Sequence, residues 1–346
     1  PDGSLLLTAC DKDVQIWDAR TYAPMGQPVA YPGGLVTAGF AASGRMAYVA
    51  HSKGVELWNA RTGERVGSGV NAHFPVYAAA VSPDGTRAVI NSVIPPSPMP
   101  ERALHLFDTR TGREIPQLPH IDWAVFAAFS PDGRRLLSME RVGMHFARFH
   151  VWDLASGRDL FPPIRTSSSL NCPPGFGTAP GVFSPDGHRV ALVGSRRFAV
   201  FDTESGTRLA GKGPPYDDED SSADGLAFSA DGKWIVCIDN RLGTSLCDAA
   251  TAKPRADMAY VPDAIYSFSI SADATRIACS YRVGRGVNDV VTATGIFDLL
   301  TGKLLHRLGD AEDGIPALSP SGDRLAVTGT GTRKDETTVW RLLEAK

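Results

Sequence analysis

The sequence predicts an all-β fold made of eight copies of one repeat. Two marks recur along the chain in the same order: a turn of the Ser-Pro-Asp-Gly type and, after a short apolar run, an aromatic residue that an acid usually follows. The segments around these marks are short and rich in Val, Ile, Leu, Ala and Phe, and none shows a capped helical period. The pattern therefore indicates a repeated β unit rather than unrelated domains.

The first mark is a hairpin turn that ends in glycine in seven of its eight copies. Proline presets φ at the second turn position, aspartate bonds its own backbone, and glycine accepts the left-handed conformation. The last residues of the eight copies are Gly3, Gly44, Gly85, Gly133, Gly187, Gly232, Ala274 and Gly322. Their spacing of 41 to 54 residues is that of a β-propeller in which each repeat supplies one four-stranded blade.

The second mark is a ring at the end of a predicted strand, replaced once by cysteine. Its positions are Trp17, Trp58, Phe107, Trp152, Phe201, Cys247, Phe297 and Trp340. In five repeats a glycine follows five residues later, which predicts a second hairpin turn. The chain opens on the second strand of its first repeat and ends on the third strand of its last. We predict eight four-stranded blades, with seven as the alternative.

The segments "FSPDGRRLL" and "VWDLASG" resemble the WD-repeat family of β-propellers, and the resemblance covers essentially the whole chain. The style of the repeats is similar to that of bacterial WD-repeat proteins, many of which carry the propeller behind a serine/threonine kinase domain. The resemblance implies a non-catalytic protein-protein interaction scaffold or sensor module, as the C-terminal part of such a kinase. It does not identify a partner, because family members bind unrelated molecules on one scaffold.

Composition limits the partners that we expect. The net charge is −3 and the pI is about 6.3, so we expect neither nucleic acid nor a membrane as a partner, since both require a basic face. The five cysteines never occur as Cys-x-x-Cys and are predicted to be reduced. With no signal peptide and no apolar run of membrane-spanning length, we predict a cytoplasmic protein. Residues 1–346 are interpreted as a single, monomeric propeller domain that is an N-terminally truncated fragment.

Catalytic chemistry is not expected within the repeats. The segments predicted to line the central channel contain almost no titratable side chains, so we predict no catalytic residues, no metal and no cofactor. Two cation sites are the alternatives to the prediction of no metal: a ring of Asp122, Asp224, Asp263 and Asp313, and the pair His145 and His150. The alternative functions are an enzyme with its site at the channel mouth and a propeller that gates an adjoining hydrolase domain.

Insertions predict where a partner binds. The extra residues fall between the second and third strands or in the crossover to the next repeat, and both connections lie on one face of a propeller. Loops on a rigid scaffold commonly carry recognition, although neutral drift of surface loops is the alternative. The predicted partner-binding residues are Pro95, Met99, Arg141, Met144, His145, Phe146, Phe176 and Tyr216, with the acidic Asp217, Asp218, Glu219 and Asp220 on the rim.

Overall fold

The computed structural model describes most of the chain in fifteen stretches. These are residues 2–9, 13–31, 33–41, 44–94, 101–116, 124–142, 146–167, 179–194, 197–211, 225–239, 243–255, 265–283, 291–308, 314–329 and 337–341. The chain divides into two compact units. The N-terminal unit comprises residues 1–165 and 204–206, and the C-terminal unit comprises residues 166–203 and 207–346.

The N-terminal unit contains four antiparallel sheets that follow one another along the chain. Sheet 1 holds β1–β3, sheet 2 holds β4–β7, sheet 3 holds β8–β10, and sheet 4 holds β11–β15. The strands are β1 (Leu5–Ala9), β2 (Asp13–Asp18), β3 (Pro24–Ala30), β4 (Leu35–Phe40), β5 (Met46–His51), β6 (Gly54–Asn59), β7 (Val70–Asn71), β8 (Val76–Val81), β9 (Arg87–Ile94), β10 (Glu101–Asp108), β11 (Ala124–Phe129), β12 (Arg135–Val142), β13 (Phe146–Asp153), β14 (Arg158–Asp159) and β15 (Ile164–Ser167).

The C-terminal unit repeats this plan with four more sheets. Sheet 5 holds β16–β19, sheet 6 holds β20–β22, sheet 7 holds β23–β26, and sheet 8 holds β27–β29. The strands are β16 (Gly181–Phe183), β17 (Arg189–Gly194), β18 (Arg197–Asp202), β19 (Arg208–Ala210), β20 (Gly225–Phe228), β21 (Trp234–Asp239), β22 (Gly243–Asp248), β23 (Ile265–Ile270), β24 (Arg276–Val283), β25 (Val291–Asp298), β26 (Leu304–Arg307), β27 (Gly314–Leu318), β28 (Arg324–Gly329) and β29 (Thr337–Arg341).

In sheets 3 to 7 the first predicted turn forms by the mechanism that its residues suggest. In sheet 3 the hydroxyl of Ser82 donates to Asp84 Oδ1 (2.6 Å) and accepts from the backbone N–H of Arg87 (2.9 Å). The turn then closes at Gly85 with a φ of 75°. All eight closing residues have positive φ, including Ala274 at 53°, so the recurring motif is a structural signal for a hairpin.

Apolar faces pack each sheet against its neighbour within a unit. In the N-terminal unit, Trp152 and Leu136 of sheet 4 pack with Leu106 and Val89 of sheet 3. In the C-terminal unit, Phe297 of sheet 7 is buried with residues of sheet 6. The recurring ring is therefore an anchor between successive sheets, as expected for repeats that cannot bury their faces alone.

The all-β, WD-repeat-like β-propeller fold is confirmed. The described residues form eight successive antiparallel sheets of three to five strands and contain no helix. Accordingly, no helix with the length and hydropathy to cross a bilayer is found in them. The number of sheets that close one ring, eight or the alternative seven, depends on the arrangement of the two units and stays a prediction.

Candidate functional site

The hairpin of β12 and β13 is longer than its counterpart in sheet 2. Both strands have eight residues, whereas β5 and β6 have six each. The additional cross-strand pairs are Arg141↔Ala147 and Val142↔Phe146. Two residues add roughly 7 Å to a strand, so this end of the hairpin projects beyond that of sheet 2, as do the equally long β9–β10 and β24–β25 hairpins. We call these four residues the sheet-4 extension.

The sheet-4 extension exposes an aromatic ring beside one basic side chain, Arg165, whereas Arg141 pairs with Ala147 and lies on the opposite face of the hairpin. Phe146 is 37% exposed, and Arg141 is exposed at the end of the paired strand. Arg165 belongs to β15, which pairs with β13, and its guanidinium carbon lies 5.6 Å from the centre of the Phe146 ring. This distance is within the range of a cation-π interaction, which holds the two side chains together.

A row of charged side chains continues from the extension along the same side of β13, because alternate residues of a strand share one side. Arg148 Nη1 lies 3.5 Å from Glu140 Oε2, and the same carboxylate oxygen lies 3.4 Å from Nε2 of His150. On the other side of the imidazole, Nδ1 lies 3.0 Å from Asp159 Oδ2. Both ring nitrogens of His150 thus face carboxylates.

The row ends at the ring that anchors sheet 4. The imidazole of His150 is stacked on the indole of Trp152, with ring centres 5.0 Å apart and an interplanar angle of 9°. The indole N–H of Trp152 donates to the hydroxyl of Ser138 at 2.9 Å. A chain of polar and stacking contacts therefore connects the exposed extension to the buried core of the sheet. These contacts hold the side chains along β13 in one arrangement.

Sheets 2 and 3 carry pairs of ionisable side chains at the same repeat positions, two residues before the ring and seven after it. In sheet 2, Arg65 Nη2 lies 3.3 Å from Glu56 Oε1. In sheet 3, His105 Nδ1 lies 2.8 Å from Glu114 Oε1. In each of these three successive sheets of the N-terminal unit, ionisable side chains thus join the strand that carries the ring to the segment after the second hairpin turn.

Sheet 3 also assembles a serine, a histidine and an acid in the order of a nucleophile, base and orienting group. The Ser92 hydroxyl oxygen lies 3.0 Å from His105 Nε2, whose Nδ1 faces Glu114. This arrangement was missed in the sequence because strand pairing, not a motif, brings the residues together. A nucleophile must reach its substrate, but Ser92 is 0% exposed and Phe74 stacks on the imidazole at 4.2 Å. The geometry therefore fits a buried hydrogen-bond chain.

The first strands of the sheets from β4 onward carry few titratable side chains. None of β4, β8, β11, β16, β20, β23 and β27 contains Asp, Glu, His, Lys, Arg or Cys. Within the described stretches, no three His, Cys, Asp or Glu side chains are grouped so that they could hold a metal ion. The acids that were weighed as a cation ring, Asp122, Asp224, Asp263 and Asp313, lie outside the described residues.

The structure places two of the predicted partner-binding residues and corrects their assignment to a loop. Their role in partner binding stays a prediction. Arg141 and Phe146 were assigned to an inserted loop, but they lie in β12 and β13, because the inserted residues continue the antiparallel ladder and so pair their backbone groups. The structure brings these two residues to one end of one hairpin. The other predicted residues lie outside the described residues: Pro95, Met99, Met144, His145, Phe176, Tyr216, Asp217, Asp218, Glu219 and Asp220.

Comparisons with known proteins agree with the fold. The family model for the WD domain, G-beta repeat, matches residues 1–18, and the comparison with curated proteins gave no match. Dihydro-heme d1 dehydrogenase NirN, in complex with DHE, is 18% identical, with a TM-score of 0.64 over 95% of this chain and 69% of that chain. Hydrazine synthase of Kuenenia stuttgartiensis is 17% identical, with a TM-score of 0.55 over 99% and 93% of the two chains.

A eukaryotic initiation factor structure is 12% identical, with a TM-score of 0.56 over 98% of this chain and 93% of that chain. At such low identity the three structures share the fold alone with this protein, whatever their activities. The repeat model matches the first turn and ring of the chain. The same turn and the same ring position recur along the other sheets. The chain is therefore similar to the WD-repeat β-propellers in its recurring turn and ring and in its succession of antiparallel sheets.

Proposed function

We propose that this propeller is a non-catalytic protein-interaction module that docks a protein partner on the sheet-4 extension. The observation that carries the proposal is the exposed Phe146 ring held under Arg165 at the end of a projecting hairpin. Aromatic and arginine side chains are the residue types most often found as interface anchors, and anchors work best when they are held rigidly before binding. A paired hairpin provides that rigidity.

The enzyme alternative receives one supporting observation, the Ser92, His105 and Glu114 chain. A fluorophosphonate probe, which labels activated serines, tests it directly. We expect no labelling of the folded protein, because the Ser92 hydroxyl is buried. Labelling that disappears in Ser92→Ala but persists in a variant of another serine, such as Ser156→Ala, would make the chain a serine hydrolase and overturn the non-catalytic proposal.

The binding proposal is tested by quantitative pull-down from the source cells with the full-length protein. We expect Phe146→Ala to weaken capture of a specific partner by about tenfold, which corresponds to the 1–3 kcal/mol loss that is common for an interface anchor. Leu209→Ala is the matched control, since Leu209 is 50% exposed but lies in the C-terminal unit. The melting temperature of both variants should equal that of the wild type, because neither side chain is buried.

Two outcomes decide against the docking surface. Equal capture by the wild type and Phe146→Ala means that the ring is not an anchor, and equal loss in Phe146→Ala and Leu209→Ala means that the loss is not specific. The proposal includes the role of the propeller as the sensor part of a bacterial serine/threonine kinase. The reading frame upstream of Pro1 tests that part, and the monomeric state and the cytoplasmic location also remain predictions.

A further inference from the structure

The turn between β5 and β6 consists of Ser52 and Lys53 and is bonded to three other segments of the N-terminal unit. The backbone N–H of Ser52 donates to the carbonyl of Gly34 at 2.9 Å, and the Ser52 hydroxyl accepts from the Gly34 N–H at 3.2 Å. The Ser52 carbonyl accepts from the N–H of Val76, the first residue of β8, at 3.4 Å. The Lys53 carbonyl accepts from the N–H of Ala72, just after β7, at 2.8 Å. This sheet-2 turn therefore fastens the end of the β5–β6 hairpin to the segments on both sides of it and to sheet 3.

His51, the last residue of β5, holds the sheet-2 turn from inside. The residue is 3% exposed, and its Nδ1 accepts a hydrogen bond from the backbone N–H of Lys53 at 3.2 Å. The ring of Tyr31 is stacked on the imidazole, with ring centres 6.0 Å apart. A ring nitrogen accepts a hydrogen bond only through its lone pair, so the proton of the imidazole lies on Nε2. The bond to the turn thus requires neutral His51 in this tautomer.

Protonation of His51 places two donors against each other. An imidazolium carries an N–H on both ring nitrogens, so Nδ1 can no longer accept from Lys53. The Nε2 atom is buried and has no hydrogen-bond partner. Glu56 Oε1 lies 4.0 Å from it, beyond hydrogen-bond distance, and already faces Arg65 Nη2 at 3.3 Å. A positive charge on the ring would therefore be buried without a hydrogen-bonded anion, which is costly.

The charged groups around His51 favour its neutral form on balance. Burial lowers the pKa of His51 and is the largest influence, whereas the Glu56 carboxylate raises this pKa. The positive charges of Lys53 and Arg65 lower the pKa further, and the net direction is below the usual value. A folded pKa below the unfolded value gives stability that is present above about pH 6.5 and is lost as pH falls through the folded pKa. Mild acid thus acts against the closed turn.

We infer that His51 is a pH-sensitive switch: the neutral imidazole keeps the sheet-2 turn closed, and uptake of a proton in mildly acidic solution releases Lys53 and loosens this turn from sheet 3. The switch is local to one end of sheet 2. At the other end, the second hairpin turn closes through the N–H of Gly63 and the carbonyl of Asn59, without a histidine. The inference is independent of the docking surface on sheet 4.

Hydrogen exchange of single backbone amides, detected by NMR on the folded chain, tests the switch. The protection factor is the intrinsic exchange rate at each pH divided by the measured rate. For the Lys53 N–H it should fall about tenfold between about pH 7.5 and pH 5.5, because the opened turn exposes an imidazole that titrates near pH 6.5. The Gly63 N–H is the control within the same molecule and should keep its protection factor. An unchanged value for Lys53, or an equal fall at Gly63, would overturn the inference.

His51→Asn is the matched variant. The side-chain oxygen of asparagine can accept from the Lys53 N–H as Nδ1 does, but an amide does not take up a proton at these pH values. The Lys53 protection factor should then be the same at both pH values, and a tenfold fall that persists in this variant would contradict the role of His51.

If the variant does not fold, the nitrogen chemical shifts of the His51 ring in the wild type decide the question. A protonated Nε2 and an unprotonated Nδ1 at about pH 7.5 support the switch, because this is the only form that can accept from the turn. An imidazolium or the reverse tautomer at that pH overturns it.

Discussion

The two units differ at one pair of repeat positions, two residues before the ring and seven after it. In the N-terminal unit both members of this pair are ionisable in three successive sheets, whereas in the C-terminal unit at least one member is small or apolar. The ionisable pairs are Glu56 and Arg65, His105 and Glu114, and His150 and Asp159; the corresponding residues of sheets 5 to 7 are Ala199 and Arg208, Ser245 and Pro254, and Gly295 and Leu304. The propeller sheet forms with either set, so charge at these positions is not required by the fold.

The residue two positions after the cross-strand partner of the ring is polar in sheets 1 and 4 of the N-terminal unit, whereas sheets 2 and 3 hold Val49 and Ile90 there. Thr8 and Ser138 of the N-terminal unit accept hydrogen bonds from Trp17 and Trp152. The corresponding positions of the C-terminal unit hold Leu192, Cys237 and Cys279, beside rings or a thiol that have no N–H to donate. Sheet 4 combines the ionisable pair with the indole hydrogen bond, and the sheet-4 extension lies at the end of this row.

The largest expected effect concerns what the two units share, the buried ring. Trp152→Ala and Phe297→Ala should each lower the free energy of unfolding by about 3–5 kcal/mol, because each removes an anchor between two sheets. Since we predict a single domain, urea unfolding should show one transition that both variants shift. Two transitions, each moved by only one variant, would show instead that the units are independent domains.

A smaller effect should be specific to the N-terminal unit. Ser138→Ala leaves the buried indole N–H of Trp152 without an acceptor and should lower the free energy of unfolding by about 1–3 kcal/mol. The control is the same substitution in a Trp152→Phe protein, where no N–H is left unpaired and the loss should nearly vanish. Chemical denaturation of the four proteins measures the coupling, and additive losses would contradict the role given to this bond.

The second hairpin turn allows the two units to be compared by exchanging glycine and alanine at one equivalent position. The residue five positions after the ring has positive φ in all seven repeats that reach it, but it is Gly157 in sheet 4 and Ala252, with φ 53°, in sheet 6. Gly157→Ala should lower the free energy of unfolding by about 1–2 kcal/mol, and Ala252→Gly should raise it by about 0.5–1 kcal/mol. Destabilisation by Ala252→Gly would show that packing of the Ala252 methyl group stabilises the protein more than the strained turn destabilises it.

Acidic pH should lower the stability of both units to a similar degree, because each unit has an aspartate in its second hairpin turn whose ionised form is stabilised. The pKa of Asp108 is lowered by the backbone N–H and the hydroxyl of Thr111, and the pKa of Asp248 is lowered by the hydroxyl and then the backbone N–H of Thr251. A folded pKa below the unfolded value gives stability that is present above about pH 4 and is lost as pH falls through the folded pKa.

Asp108→Asn and Asp248→Asn should each flatten the dependence of the urea midpoint on pH below about pH 4, and to a similar degree. Lys53→Gln, at an exposed surface position that is not in either turn, is the control and should keep the wild-type dependence. A slope that is unchanged in both aspartate variants would mean that these turn hydrogen bonds do not favour the ionised carboxylates.

The repeated elements were predictable because their signals are local. Ser82, Asp84 and Gly85 specify a turn through their own side-chain bonds and backbone conformation, and the ring position of Phe107 is marked by the acid that follows it and by the glycine five residues later. The assignment of Arg141 and Phe146 to a loop was wrong because strand extension depends on pairing across the hairpin, which a single segment does not reveal.

The polar row of sheet 4 was not predicted, for a related reason. His150 and Asp159 are nine residues apart, and they meet only because a hairpin turn places two strands side by side. A signal was nevertheless present in the sequence. Oppositely charged or ionisable residues recur two before and seven after the ring in three consecutive repeats, and alignment on the ring exposes the pairing.

Site-specific photo-crosslinking tests most directly whether the sheet-4 extension is the docking surface. A photoreactive phenylalanine analogue replaces Phe146 in one full-length protein and Leu209, the exposed side chain of the C-terminal unit, in another. The account predicts a crosslinked partner at position 146 and none at position 209. Crosslinks of equal yield at both positions, or at 209 alone, would contradict it.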